Sequence, residues 1–169
     1  MSRISVKMPN TYRYFLFTVF AISWVTGIAF FIFSNWITVE GDFGPEKHPL
    51  QYPILQLHGA SAFFMMMLFG ALLAAHMPVS WRLNRMRNIG LTLVTLVSVQ
   101  VITAYFLYYL SNESIREVIS YIHLAAGGCL PFVLFTHIAV GIRTRRTNQS
   151  KLKPISASLK TTDKPAKAA

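Results

Sequence analysis

Four of the chain's five histidines, His58, His76, His123 and His137, lie in apolar stretches, two on each of two segments. The run QLHGASAFFMMMLFGALLAAHM, residues 56–77, has a histidine towards each end and no charged residue between them. Imidazole is the commonest metal-binding side chain, and it changes charge near neutral pH. Inside a membrane span such a group is costly, so by default it marks a function and has a partner to be named. His58 and His76 are 18 residues apart, which is five turns, about 27 Å along one helix face. His123 and His137 are 14 apart, short of four turns by about 40° and spanning about 21 Å. Two such stripes facing each other bring one imidazole opposite another at two depths. Each meeting point is a socket for a flat macrocycle whose iron takes two axial imidazoles. The expected pairs are His58 with His123 and His76 with His137. The two rises differ by roughly 6 Å, a mismatch that tilt or a kink at Pro131 has to absorb.

Small residues follow the histidines by one turn: Ala62 after His58, Gly127 after His123 and Gly141 after His137. They would let a macrocycle approach the backbone, and they equally suit ordinary helix packing in membranes. Between the sockets, Met65 and Phe69 on one stripe face Leu130 and Leu134 on the other as an expected dry layer. The fifth histidine, His48 in GPEKHPLQYP, stands beside Lys47 and near Tyr52. Its two readings are a contact to a haem propionate or quinone headgroup, and a solvated loop imidazole. Thr92, Thr95, Ser98, Gln100 and Thr103 form a polar thread suited to hydrogen bonds between helices. Gln100 is a candidate partner behind a ligand. The single cysteine, Cys129, excludes both an intrachain disulfide and a CxxCH haem attachment.

These residues need a membrane scaffold. Of 169 residues, 53% are hydrophobic and 13% charged, too little polar surface for a soluble domain. Four apolar stretches, about 14–36, 55–77, 89–110 and 118–142, each have the roughly 20 residues that cross a ~30 Å hydrocarbon layer as a helix. The expected fold is therefore all-α: an integral membrane four-helix up-down bundle over residues 1–142, followed by a basic, disordered cytoplasmic tail, 143–169. The first stretch is too long for a signal-peptide core and lacks a small-residue cleavage site, so it is expected to remain as a helix.

The net charge of +10 is unevenly spread. Fourteen of the sixteen Lys and Arg residues lie before the first stretch, between the second and third, or after the fourth; with Asp163 as the only acid there, that side sums to +13. Lys47 and Arg116 share the other side with Glu40, Asp42, Glu46, Glu113 and Glu117, a sum of −3. The positive-inside bias puts both termini in the cytoplasm, and His58 and His123 towards the outer face. It also assigns the positive charge to membrane lipid rather than to nucleic acid.

The histidine pattern resembles that of dihaem b-type membrane cytochromes, including the cytochrome b core of bc complexes and small bacterial membrane cytochromes b. In that core the second and fourth helices of a bundle each carry two histidines. The resemblance implies two haem b groups, an outer one on His58 and His123 and an inner one on His76 and His137, in a bacterial inner membrane. It covers roughly residues 14–142. The bc family has a shorter spacing on its second helix, and its later quinol-oxidising elements have no counterpart here. The expected function is electron transfer between a quinone pool or cytoplasmic-side donor and a periplasmic cytochrome or larger redox complex, as a subunit rather than a complete enzyme. The other readings are a stand-alone quinone-linked oxidoreductase, with superoxide or ferric ion as partner, and a haem-free anchor of a respiratory complex.

Overall fold

The computed structural model describes residues 9–82 and 86–162. Arg3, Lys7 and Arg85 of the basic side, and the tail beyond Thr162, lie outside the described residues. The elements in chain order are α1 (Asn10–Trp36), β1 (Thr38–Gly41), β2 (Gly44–Lys47), α2 (Gln51–Ala75), α3 (Met77–Arg82), α4 (Arg87–Tyr109) and α5 (Glu113–Thr162). Among the described residues α1, α2, α4 and the Glu113–Thr144 part of α5 are each long and apolar enough to cross a membrane. The shortest of them has 23 residues, about 35 Å at 1.5 Å per residue.

Local chemistry sets the boundaries. Pro53 falls in the first turn of α2, where its missing N–H would have no helical acceptor in any case. The side-chain oxygen of Asn112 accepts the Ile115 N–H at 3.1 Å and caps α5. The second apolar stretch was expected to run to Met77, but α2 stops at Ala75. Pro78 cannot donate to the Ala74 carbonyl, so the helix breaks there and resumes as α3. The α3–α4 corner is fixed by Arg87, whose guanidinium lies 4.9 Å from the Trp81 ring centre and donates to the Trp81 carbonyl at 2.9 Å.

Two features depart from the all-α expectation with its disordered tail. The expected loop 37–54 contains an antiparallel hairpin pairing Thr38 with Lys47 and Gly41 with Gly44. β-Branched Thr38 and Val39 favour the extended chain. The turn at Asp42 and Phe43 closes on Gly44, whose φ of +117° suits a residue without a side chain. At the other end, α5 continues past the expected stop at Ile142 to Thr162. Residues 143–153 contain no glycine or proline, and Arg, Lys, Gln and Leu propagate a helix well.

Contacts between neighbouring helices run in opposite chain directions. Along α1 and α2, Tyr12 donates to the Leu68 carbonyl at 2.7 Å, His58 meets Ser23, and Gln51 donates to Ser34 at 3.0 Å. Along α4 and α5, Gly90 lies by His137 and Thr103 by His123. The two close-packed helix pairs are α1 with α2 and α4 with α5, and α1 touches α5 more lightly, as where Phe31 meets Tyr121 edge-on. The histidine-bearing α2 and α5 are not a close-packed pair. Among the described residues the buried apolar side chains are Val19, Val97 and Ala126, and no large side chain is fully buried.

Candidate functional site

Among the described residues the buried polar side chains are Thr26, Ser61 and Thr103, and all three lie beside His58 or His123. His58 and His123 face one another across the α2–α5 gap with ring centres 6.3 Å apart and planes at 85°. A metal–imidazole bond is about 2.0–2.1 Å, and a ring nitrogen lies roughly 1.1 Å from its ring centre, so two imidazoles in trans on one metal have centres about 6.2–6.4 Å apart. The observed separation of 6.3 Å falls within that range, and the rings meet edge-on.

Hydrogen bonds fix which nitrogen of each ring is free. His58 Nδ1 lies 2.9 Å from the Ser23 carbonyl, which can only accept, so Nδ1 carries the proton. Thr103 Oγ1 lies 2.8 Å from His123 Nδ1 and 2.6 Å from the Val99 carbonyl. Two oxygens at 2.6 Å need a hydrogen between them, so the single hydroxyl proton goes to Val99. The hydroxyl then accepts from His123 Nδ1–H. Both rings are therefore Nδ1–H tautomers anchored to the outer helices α1 and α4, and each Nε2 keeps an unshared lone pair. This is the arrangement in which metal-binding histidines are held by a partner behind the ring.

His76 and His137 are less constrained. His76 occupies the turn between α2 and α3, with Ser80 Oγ 3.3 Å from its Nε2. His137 has a buried Nδ1 without a hydrogen-bond partner. Between the histidines Met65, Phe69, Leu130 and Leu134 are all half-buried. Phe63, Phe64, Met66 and Met67 on the opposite side of α2 are exposed.

The small residues have these neighbours within the chain. A side chain at Gly127 would meet Gln100 Nε2 at 2.9 Å. The bare backbone there admits the Gln100 amide, which donates to the His123 carbonyl at 2.6 Å. Gly141 faces the Met86 sulfur, 3.7 Å from where its Cβ would stand. Ala62 is half-buried one turn after His58. Two glycines on the neighbouring helices lie against histidine rings: a Cβ at Gly27 of α1 would fall 2.9 Å from His58 Cε1, and one at Gly90 of α4 would fall 3.9 Å from His137 Cε1. His48 stands apart from the pair: its Nδ1 accepts the Leu50 N–H at 3.1 Å, and its ring packs edge-on against Phe33.

Among the described residues no three His, Cys, Asp or Glu side chains gather as a metal cluster. A metal at the outer pair must therefore bring its remaining donors with it, as the iron of a haem does. The His58 and His123 pair fits that group: each ring is held through Nδ1, and the ring centres lie 6.3 Å apart. No family model, curated protein or solved structure matches the chain.

Proposed function

We propose that the chain is a dihaem b-type cytochrome subunit carrying electrons across a bacterial inner membrane. Its bundle runs up and down with both termini cytoplasmic. The observation that carries this reading is the His58–His123 pair, tautomer-fixed and 6.3 Å apart. When bound, each haem would supply a one-electron carrier, one held by His58 and His123 and the other by His76 and His137. The residues of the chain hold and separate these carriers. Ser23 and Thr103 orient the outer imidazoles, and Met65, Phe69, Leu130 and Leu134 keep water out between the two levels. The groups so held would exchange electrons with a quinone pool or cytoplasmic-side donor at one face and with a periplasmic cytochrome or larger redox complex at the other.

The test is direct. The protein purified in detergent from membranes is expected to give a b-type pyridine haemochrome spectrum with two haems per chain after acid–acetone extraction. A stoichiometry of one removes the two-socket reading, and none leaves only the haem-free anchor.

The orientation rests on the charge asymmetry of +13 against −3 and on exposed aromatic residues towards both ends of the spans. Trp36, Tyr52, Tyr108 and Tyr109 lie at one end, with Tyr14 and Trp81 at the other. In a Cys129→Ser background, cysteines at Asp42 and Glu113 are expected to react with an impermeant maleimide from the periplasmic side, and one at Ser150 is not. Labelling at Ser150 alone would reverse the orientation, and equal labelling at all three would refute the assignment of sides.

A further inference from the structure

Thr103 is one of the few buried polar side chains in the bundle, and its hydroxyl makes more contacts than one proton can serve. Oγ1 lies 2.6 Å from the Val99 carbonyl, 3.2 Å from the Gln100 carbonyl and 2.8 Å from His123 Nδ1. Since the hydroxyl proton is committed to the α4 backbone, the lone pairs of Thr103 face the His123 Nδ1–H. From this geometry we infer that Thr103 is a positioning residue that sets the electron-donor strength of His123, and so the reduction potential of the metal group held at the outer pair. The inference rests on the dihaem reading.

The physical chain has three steps. An acceptor behind Nδ1–H draws the proton outward and leaves more electron density on the ring, which makes Nε2 a more basic ligand. The donation from Thr103 to Val99 polarises the hydroxyl and strengthens its acceptance from the ring, as in any chain of hydrogen bonds. A more basic axial ligand favours the oxidised, more positively charged metal, and hydrogen bonding behind the ligand is one of the protein's levers on potential. Gln100 adds to the hold from the same helix, donating to the carbonyl of His123 itself at 2.6 Å. No equivalent group serves His137, whose Nδ1 is buried without a partner. Loss of the Thr103 hydroxyl should therefore move one midpoint and leave the other where it was.

The experiment is a spectroelectrochemical titration of the full-length, haem-loaded protein in detergent, with low-temperature EPR of the oxidised form. Thr103→Val keeps the shape and removes the acceptor. The expected result is two haems retained, one midpoint raised, the other unmoved and one low-spin EPR signal shifted. Thr103→Ser, which keeps the hydroxyl, should restore both values. If Thr103→Val releases a haem, Thr103→Cys carries the test, because a thiol is a weaker acceptor and the midpoint should still rise. Two bound haems with unmoved midpoints in Thr103→Val, or in Thr103→Cys where that variant is needed, would overturn the inference and leave the dihaem reading standing. A wild-type protein without haem would instead refute the reading beneath it.

Discussion

Purified His58→Ala protein is expected to carry one haem instead of two, and His123→Ala is expected to lose the same haem. The reason is geometric. The two rings stand 6.3 Å apart on separate helices, each braced from behind, so a group bridging them depends on both. Removing a partner behind a ligand typically costs 10–100-fold in metal affinity, and removing the ligand itself should cost more, enough to empty the socket during purification. The double variant should therefore lose nothing beyond either single one. His76→Ala and His137→Ala should together define the second haem, distinguished from the first by its midpoint in a redox titration. Loss of different haems from His58→Ala and His123→Ala would show that the pairing across the α2–α5 gap is wrong. An intact two-haem spectrum in any of the four variants would remove that histidine from the site.

The sequence carries the periodic part of this site and not the part contributed from other helices. Four long apolar runs are legible because a membrane span needs about 20 apolar residues whatever its neighbours do. The shared face of His58 and His76 is likewise fixed by the helical repeat within a single segment. The groups that orient the rings are not legible in this way. Ser23 and Gly27 lie on α1, more than 30 residues before His58, and no pattern in that helix marks them as its neighbours. Thr103 and Gln100 were visible as members of a polar thread, but which of the thread's side chains turns towards His123 depends on the rotation of α4 against α5. The same missing rotation explains Gly127 and Gly141. One turn after a histidine, each is placed by spacing near the histidine face, yet Gly127 makes room for Gln100 and Gly141 faces Met86. The hairpin at 38–47 had a local signal in Thr38-Val39 and in the glycines flanking the Asp42-Phe43 turn, outweighed by the helical character of the rest of the chain.

Gly27 gives the sharpest separation between a helix-packing glycine and one that seats a ring. By helix propensity alone, Gly27→Ala should stabilise α1 by about 1 kcal/mol. At this position the added Cβ would lie 2.9 Å from His58 Cε1 and 3.2 Å from Nδ1. Ordinary carbon–carbon contacts are about 3.5–4.0 Å, so the ring would have to move by roughly half an ångström or more. That displacement strains or breaks the 2.9 Å bond from Nδ1 to the Ser23 carbonyl, which fixes the tautomer, and it shifts the 6.3 Å spacing to His123. Gly27→Ala is therefore expected to lower the outer haem's occupancy, taking the stoichiometry from two towards one, with the inner midpoint unchanged. Gly27→Leu should empty the outer socket. Gly70→Ala and Gly128→Ala are the controls: nothing lies within 4 Å of a Cβ at either position, so both should keep two haems and gain the helical stability that Gly27→Ala forfeits. Full occupancy with unmoved midpoints in Gly27→Ala would mean that α1 yields to the methyl group and does not hold the ring. Equal haem loss in the controls would mean that the bundle tolerates alanine at none of these sites, and the effect at Gly27 would say nothing particular about His58.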